Sequence, residues 1–255
     1  MISPIEMLMT LLTALCIAMT ARFAHATPLP KDILQTVDDV AEKHELLSDD
    51  KIMAEVNLLS EAEKIDITND EYAGQKARLL FFLAKNDKDK ERRIEKYHVA
   101  IAEANRAIKL NAKSISGNFW KAAALGRQGL DKGVLNALGN ATPIRECTEI
   151  VLAQDEKYEK GAAHLTMGRL YYELPGWPLS FGNNKKALEH LTKAYGAAPL
   201  EPSNNVYYAQ MLIKNGRGAE AGKYLDYVLN FQTKPEHKVE MAEHLKLAKE
   251  LKDDL

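Results

Sequence analysis

The chain has 255 residues, a formal net charge of −2 and 46% hydrophobic side chains. That is ample length for a hydrophobic core, and the near-neutral balance excludes the basic field a nucleic-acid-binding domain needs. Of the two cysteines only Cys147 lies beyond residue 26, so that part of the chain cannot form an intramolecular disulfide and depends on its core.

Residues 7–19 form an apolar run too short to span a bilayer with its flanks intact. Ala24-His25-Ala26 follows as the small-x-small pattern that signal peptidase reads. Residues 1–26 are therefore expected to be a signal peptide, and 27–255 a single helical-repeat domain in the periplasm. The segment before the apolar run, Met1 to Glu6, departs from the pattern in having no Lys or Arg. The large Leu15 ahead of Cys16 argues against lipid modification there. Removal of residues 1–26 takes out Glu6 and Arg22 together, so the net charge stays at −2. No later stretch is apolar for long enough to cross a membrane.

Beyond residue 30 helical periodicity dominates and no segment alternates with period two, which predicts an all-α fold of about ten or eleven helices. Asp32 to Leu46 sets Ile33, Leu34, Val37, Val40 and Ala41 on one face, and Asp49 to Ile65 sets Ile52, Val56, Leu59 and Ala62. Glu71 to Ala84 and Arg92 to Leu110 read as an antiparallel pair joined by a charged turn. Further helices are predicted over 115–129, 143–155, 160–173, 184–197, 203–215, 217–231 and 235–252. Thr142-Pro143 reads as a helix start, and Asn69-Asp70, Gly139-Asn140 and Asn215-Gly216 as turns.

A repeat register ties these helices together. With Gly168 at position 8, Met167 takes position 7 and Tyr171 position 11; Ala187, Leu191, Ala194 and Pro199 then fall at 20, 24, 27 and 32. Gly168 and Ala187 are 19 residues apart where the register allows 12, so seven residues are an expansion of the loop between the helices. In the next unit Asn205, Tyr208, Ala209 and Leu212 take positions 4, 7, 8 and 11, and Ala221, Leu225 and Val228 take 20, 24 and 27. Leu125-Gly126 repeats the 7–8 pair upstream, and Ala100, Ala104 and Ala107 mark an earlier second helix. Small residues at 8, 20 and 27 let two helices approach, which is the pattern of the tetratricopeptide repeat. The clearest units span 161–202 and 202–235, with a polar capping helix over 235–252 and an irregular pair around 129–142. Antiparallel pairs stacked as a superhelical array are the expected architecture.

No catalytic set stands out: there is no phosphate-binding Gly-x-x-x-x-Gly-Lys, no His-Glu-x-x-His, no Gly-x-Ser-x-Gly and no zinc-type cysteine pair. The chain is read as a non-enzyme with neither cofactor nor metal. His237, Glu240 and His244 are spaced along one helix but read as its polar face, and Cys147 as a packing residue. Only His164 and His190 meeting acidic residues in one pocket would revive an enzymatic reading.

Binding is the better prospect. Groove-lining positions of the first helices select Trp120 and Arg127 in one unit, Arg169, Tyr172 and Glu173 in the next, and Gln210, Ile213 and Lys214 in the last. Arg127 and Arg169 share position 9, so their guanidinium forks are expected to face one groove and to suit a carboxylate, or else to pair with neighbouring glutamates. In the loop Leu174-Pro-Gly-Trp-Pro-Leu-Ser-Phe-Gly-Asn-Asn184, the prolines and glycines predict an ordered path. Trp177, Leu179 and Phe181 are expected to tuck against the two helices and lengthen the local core; the alternative is that they rim an opening or dock a partner, with Trp177 as the candidate contact.

The run from Tyr172 to Ala194, following Met167-Gly168-Arg169, resembles the TatT-type T component associated with tripartite ATP-independent periplasmic (TRAP) transporters; related repeat domains occur in regulators of microtubule dynamics. The resemblance is specific over 160–232 and architectural before that. It implies an exported scaffold that binds the transporter's solute-binding protein, assembled as a homotrimer with a central pore. The function expected is protein–protein interaction through the groove or the 174–184 loop. The alternative is a periplasmic carrier of a small organic acid or amphipathic ligand in the groove or pore.

Overall fold

A computed structural model describes residues 30–255 of the chain, so the expected signal peptide over 1–26 and Cys16 lie outside the described residues. Met1–Gln35 and Thr36–Leu255 are two compact units; the described part of the first is the helical stretch 30–35. Among the described residues there are eleven α-helices, one short 3-10 turn and no strand. They are α1 (Pro30–Glu42), α2 (Asp49–Ile65), α3 (Asp70–Asn86), α4 (Lys90–Leu110), α5 (Ile115–Lys132) and α6 (Val134–Leu152). There follow α7 (Tyr158–Glu173), α8 (Asn184–Ala197), α9 (Pro202–Lys214), α10 (Gly218–Leu229) and α11 (Lys238–Asp253).

From residue 70 onward the helices pack as antiparallel pairs, α3 with α4, α5 with α6, α7 with α8 and α9 with α10, and α11 closes the series against α9 and α10. The local sequence sets the starts. Asn69, Asp89, Ser114 and Asn183 each accept a backbone N–H of the first turn that follows, and Pro202 opens α9. Small residues bring the seams together: Ala187, Ala194, Ala209 and Ala221 are fully buried, with Leu191, Leu212 and Leu225 filling the space between them. Gly168 and Val228, which take positions 8 and 27 of the register, are buried as well.

The irregular unit differs from its prediction. Lys132 is followed at once by Gly133, with φ at +100°, and α6 begins at Val134. This left-handed residue lets the chain reverse in one step, a conformation that side chains resist. Gly139-Asn140 is not a turn and Pro143 is not a helix start; both lie inside α6. The proline ring crowds the carbonyl four residues back, which belongs to Gly139, the residue whose backbone adjusts most cheaply. Asn140 is held by donating its side-chain N–H to the Leu125 carbonyl at 2.9 Å.

This unit divides the core. One apolar cluster runs from Ala77 to Ala163 and includes Phe81, Tyr97, Phe119 and Trp120. The other runs from Met167 to Ala248 and includes Tyr171, Leu191, Met211 and Leu225. First helices α3 and α5 pack together, as do α7 and α9, whereas α5 and α7 meet at their N-terminal ends through Phe119 and Tyr158 and leave a gap between them further along.

Candidate functional site

A cavity of about 460 Å³ fills the gap between α5 and α7, with α6 as its floor. Ala122, Ala123, Leu138, Leu165 and Leu170 line it, and Arg127, Arg169 and Glu173 supply its charged groups. The groove prediction therefore brings three of its residues together. The Arg169 guanidinium donates to Glu173 at 2.7 and 3.2 Å and stacks over the Tyr207 ring at 4.4 Å. Arg127 makes one contact, 3.5 Å to Glu243 of α11. Pairing with glutamates thus accounts for most of what Arg169 offers and little of what Arg127 offers. Tyr172 packs half-buried against the C-terminal core cluster. Gln210 is half-buried on α9 and Lys214 exposed at its end, apart from the residues around the cavity.

Trp120 is a correction. It is 5% exposed, packed against Phe81, Phe82 and Phe119 with Arg78 over its ring, so it belongs to the core rather than to a groove surface. Four aromatic rings converging between α3 and α5 leave the indole no path to solvent.

The loop after α7 corrects a second expectation. Phe181 does tuck in, edge-on to Tyr171 with Arg145 over its face. Trp177 and Leu179 do not: they are 90% and 83% exposed. The loop beneath them is tied down, with the Gly182 N–H donating to Pro175 O, the Asn183 N–H to Tyr171 O and the Leu179 N–H to Gly176 O. A Cβ on Gly182 would lie 1.9 Å from the Leu174 carbonyl oxygen, so only glycine allows this closure. Leu174, where the loop leaves α7, lines the cavity together with Leu130 and the largely exposed Val134.

His164 and His190 meet between α7 and α8, their Nδ1 atoms 3.0 Å apart, with Tyr171 stacked on His190. Burial pushes the His164 imidazole below its ordinary range, and burial together with His164 pushes His190 down to about 4. His164 Nε2 has no hydrogen-bond partner, the Glu156 carboxylate being 3.9 Å away. Neither ring lines the cavity just described or a second one of about 560 Å³ near α11.

Sequence reading missed the far side of α11. Glu45 accepts the Val239 and Glu240 N–H groups, both at 2.8 Å, and so caps a helix almost two hundred positions later. His44, Glu45 and Glu240 bring donor atoms within 4.8 Å of one another, a spacing that suits a metal ion. Burial raises the Glu240 carboxyl, but Lys85, 3.1 Å away, outweighs it and keeps that carboxyl below the usual range. His237 reaches Glu42 at 3.1 Å, and His244 is buried beside Tyr207. Cys147 is buried against Ala122 and Ile144, its thiol pushed up by burial.

Stacked antiparallel helix pairs with small residues at the seams define a tetratricopeptide-type helical-repeat protein. The thermophilic tetratricopeptide protein TTC0263 of Thermus thermophilus is similar in fold, with a TM-score of 0.53 at 16% identity over 76% of this chain and 91% of that one. MamA from Desulfovibrio magneticus RS-1 gives 0.46 at 15% identity over 88% and 97%, and yeast Tom70 0.37 at 15% over 79% and 43%. No curated protein sequence matches the chain. The family described as RMD1-3, regulator of microtubule dynamics protein 1-3, matches residues 33–179, which is 147 of 255, and the chain belongs to that family. The match falls mostly upstream of residue 160, on the stretch whose sequence suggested architecture alone.

Proposed function

We propose that the chain is an exported, non-catalytic scaffold that holds a protein partner on the face carrying the 174–183 loop. One observation carries the reading: Trp177 and Leu179 stand almost fully in solvent on a loop fixed by backbone hydrogen bonds. An indole and an isobutyl group held rigidly outward cost solvation in the free protein and recover it against an apolar partner surface. The partner is a periplasmic solute-binding protein of a TRAP-type transporter. Support for that identity comes from the resemblance over Tyr172 to Ala194 and from the export pattern in residues 1–26. The groove positions Arg127, Arg169 and Glu173 flank the same face.

The test is capture of the solute-binding protein by the purified mature chain. Trp177→Ala with Leu179→Ala is expected to abolish capture while leaving the helical content unchanged, because neither side chain belongs to the core. Retained capture by that variant would remove the loop from the interface.

A further inference from the structure

The cavity between α5 and α7 has a use that partner docking does not require. Its wall is mostly apolar, with Ala122, Ala123, Leu138, Leu165 and Leu170, and the hydroxyl of Thr166, which also lines it, already donates to the Ala162 carbonyl at 2.9 Å. Its charged groups are two guanidinium ions and one carboxylate, an excess of one positive charge. Glu173 is committed to Arg169 at 2.7 Å. The Arg127 contact with the exposed Glu243 is at the outer limit of a hydrogen bond, and a rim pair of that kind contributes little. Arg127 therefore presents a nearly unengaged fork of donors beside an apolar space, and a carboxylate fills such a fork with two parallel bonds. The volume of about 460 Å³ is that of a small-molecule site.

We propose that this cavity binds a medium-chain aliphatic monocarboxylate, its head on Arg127 and its chain along α6 and α7. A dicarboxylate or a phosphate ester would carry a further negative charge into a site with no cation left to meet it. A neutral alcohol would leave the guanidinium fork unsatisfied. The mouth faces the exposed Leu130 and Val134, so the chain of the ligand passes from apolar rim to apolar wall on entry. Trp177 does not line the cavity, and either assignment can fail without the other.

The experiment is titration calorimetry of the purified mature chain with decanoate below its micellar range, with decanol as the headless control. Decanoate is expected to bind one to one. Decanol, and decanoate with the Arg127→Gln variant, are expected to bind at least about tenfold more weakly, the worth of a charge-assisted hydrogen bond. Gly126→Leu supplies the second arm. A Cβ at Gly126 meets only Ile144 at 3.9 Å, so the helix accepts the residue and its side chain enters the cavity. That variant should fold normally and lose decanoate. No binding of decanoate, equal binding of decanol, or full binding by the filled variant would each overturn the proposal. So would tighter binding of an apolar tripeptide with a free C-terminus, which would assign the cavity to a partner's chain end.

Discussion

Gly126 and Gly168 occupy the same repeat position, yet alanine at the two sites should move stability in opposite directions. Both are interior to helices, where replacing glycine with alanine gains about 0.5–1 kcal/mol through backbone entropy. At Gly126 the added methyl meets only the tip of Ile144 at 3.9 Å, an ordinary contact, so the whole gain is realised. At Gly168 it lies 2.5 Å from Leu191 Cγ, 2.7 Å from Cδ2 and 3.2 Å from the Leu191 backbone nitrogen. Leu191 is itself buried in the C-terminal cluster and cannot swing aside, so α7 and α8 must separate. Overpacking of that kind costs about 1–3 kcal/mol. Gly168→Ala should therefore lose up to about 2 kcal/mol net, and the two variants should differ by the overpacking cost, about 1–3 kcal/mol. Urea unfolding followed by circular dichroism reads this as opposite shifts in midpoint at unchanged slope. If Gly168→Ala proved as stabilising as Gly126→Ala, the seam between α7 and α8 would not be closed as described, and the argument from small residues at position 8 would fail.

Acid should weaken the fold through its buried histidines. Burial holds His44 and His190 at about 4, and holds His164 and His244 below their ordinary 6.5. The unfolded chain therefore binds more protons than the folded one below pH 6.5. Stability is full above that value and falls as pH drops toward 4, by up to about 1.4 kcal/mol per pH unit for each such histidine; denaturant midpoints at pH 7.5, 6 and 5 check it. Glu45→Ala should cost about 1 kcal/mol, as loss of a helix cap does, and should speed amide exchange at Val239 and Glu240 while leaving α3 to α6 protected. Cys147 should react with a thiol reagent far more slowly in the native protein than in urea, because its thiol is buried and its pKa raised. The chain has two tryptophans, one buried and one exposed, so Trp177→Phe should shift the emission maximum to the blue and Trp120→Phe to the red; equal shifts would mean the two indoles share one environment.

Period and small-residue spacing made the pairs α7/α8 and α9/α10 legible almost to the residue, because a seam that admits only glycine or alanine leaves a mark at fixed intervals. The same reasoning failed at 133–143. There a glycine with positive φ replaced a loop, and Pro143 sat over Gly139 within a helix, an arrangement that local rules read as a break. Arg127 and Arg169 were legible as a pair because they share a repeat position. The space between them was not, since it exists only where α6 holds α5 and α7 apart. Trp120 obeyed the register but was claimed by Phe81, Phe82 and Phe119 from other turns. Trp177 reversed its expectation because backbone bonds, rather than side-chain burial, fix the loop. Glu45 capping α11 could not be read at all, as nothing in a sequence marks a cap supplied from so far away.

The central claim is that the exposed indole of the 174–183 loop is a partner contact. The most direct measurement is the affinity of the mature chain for the solute-binding protein of its own source, compared with that of Trp177→Ala. The account predicts binding that weakens by about thirtyfold or more on loss of the indole, the scale of an interface anchor. Equal affinity for the two proteins, or no binding by either, would contradict it.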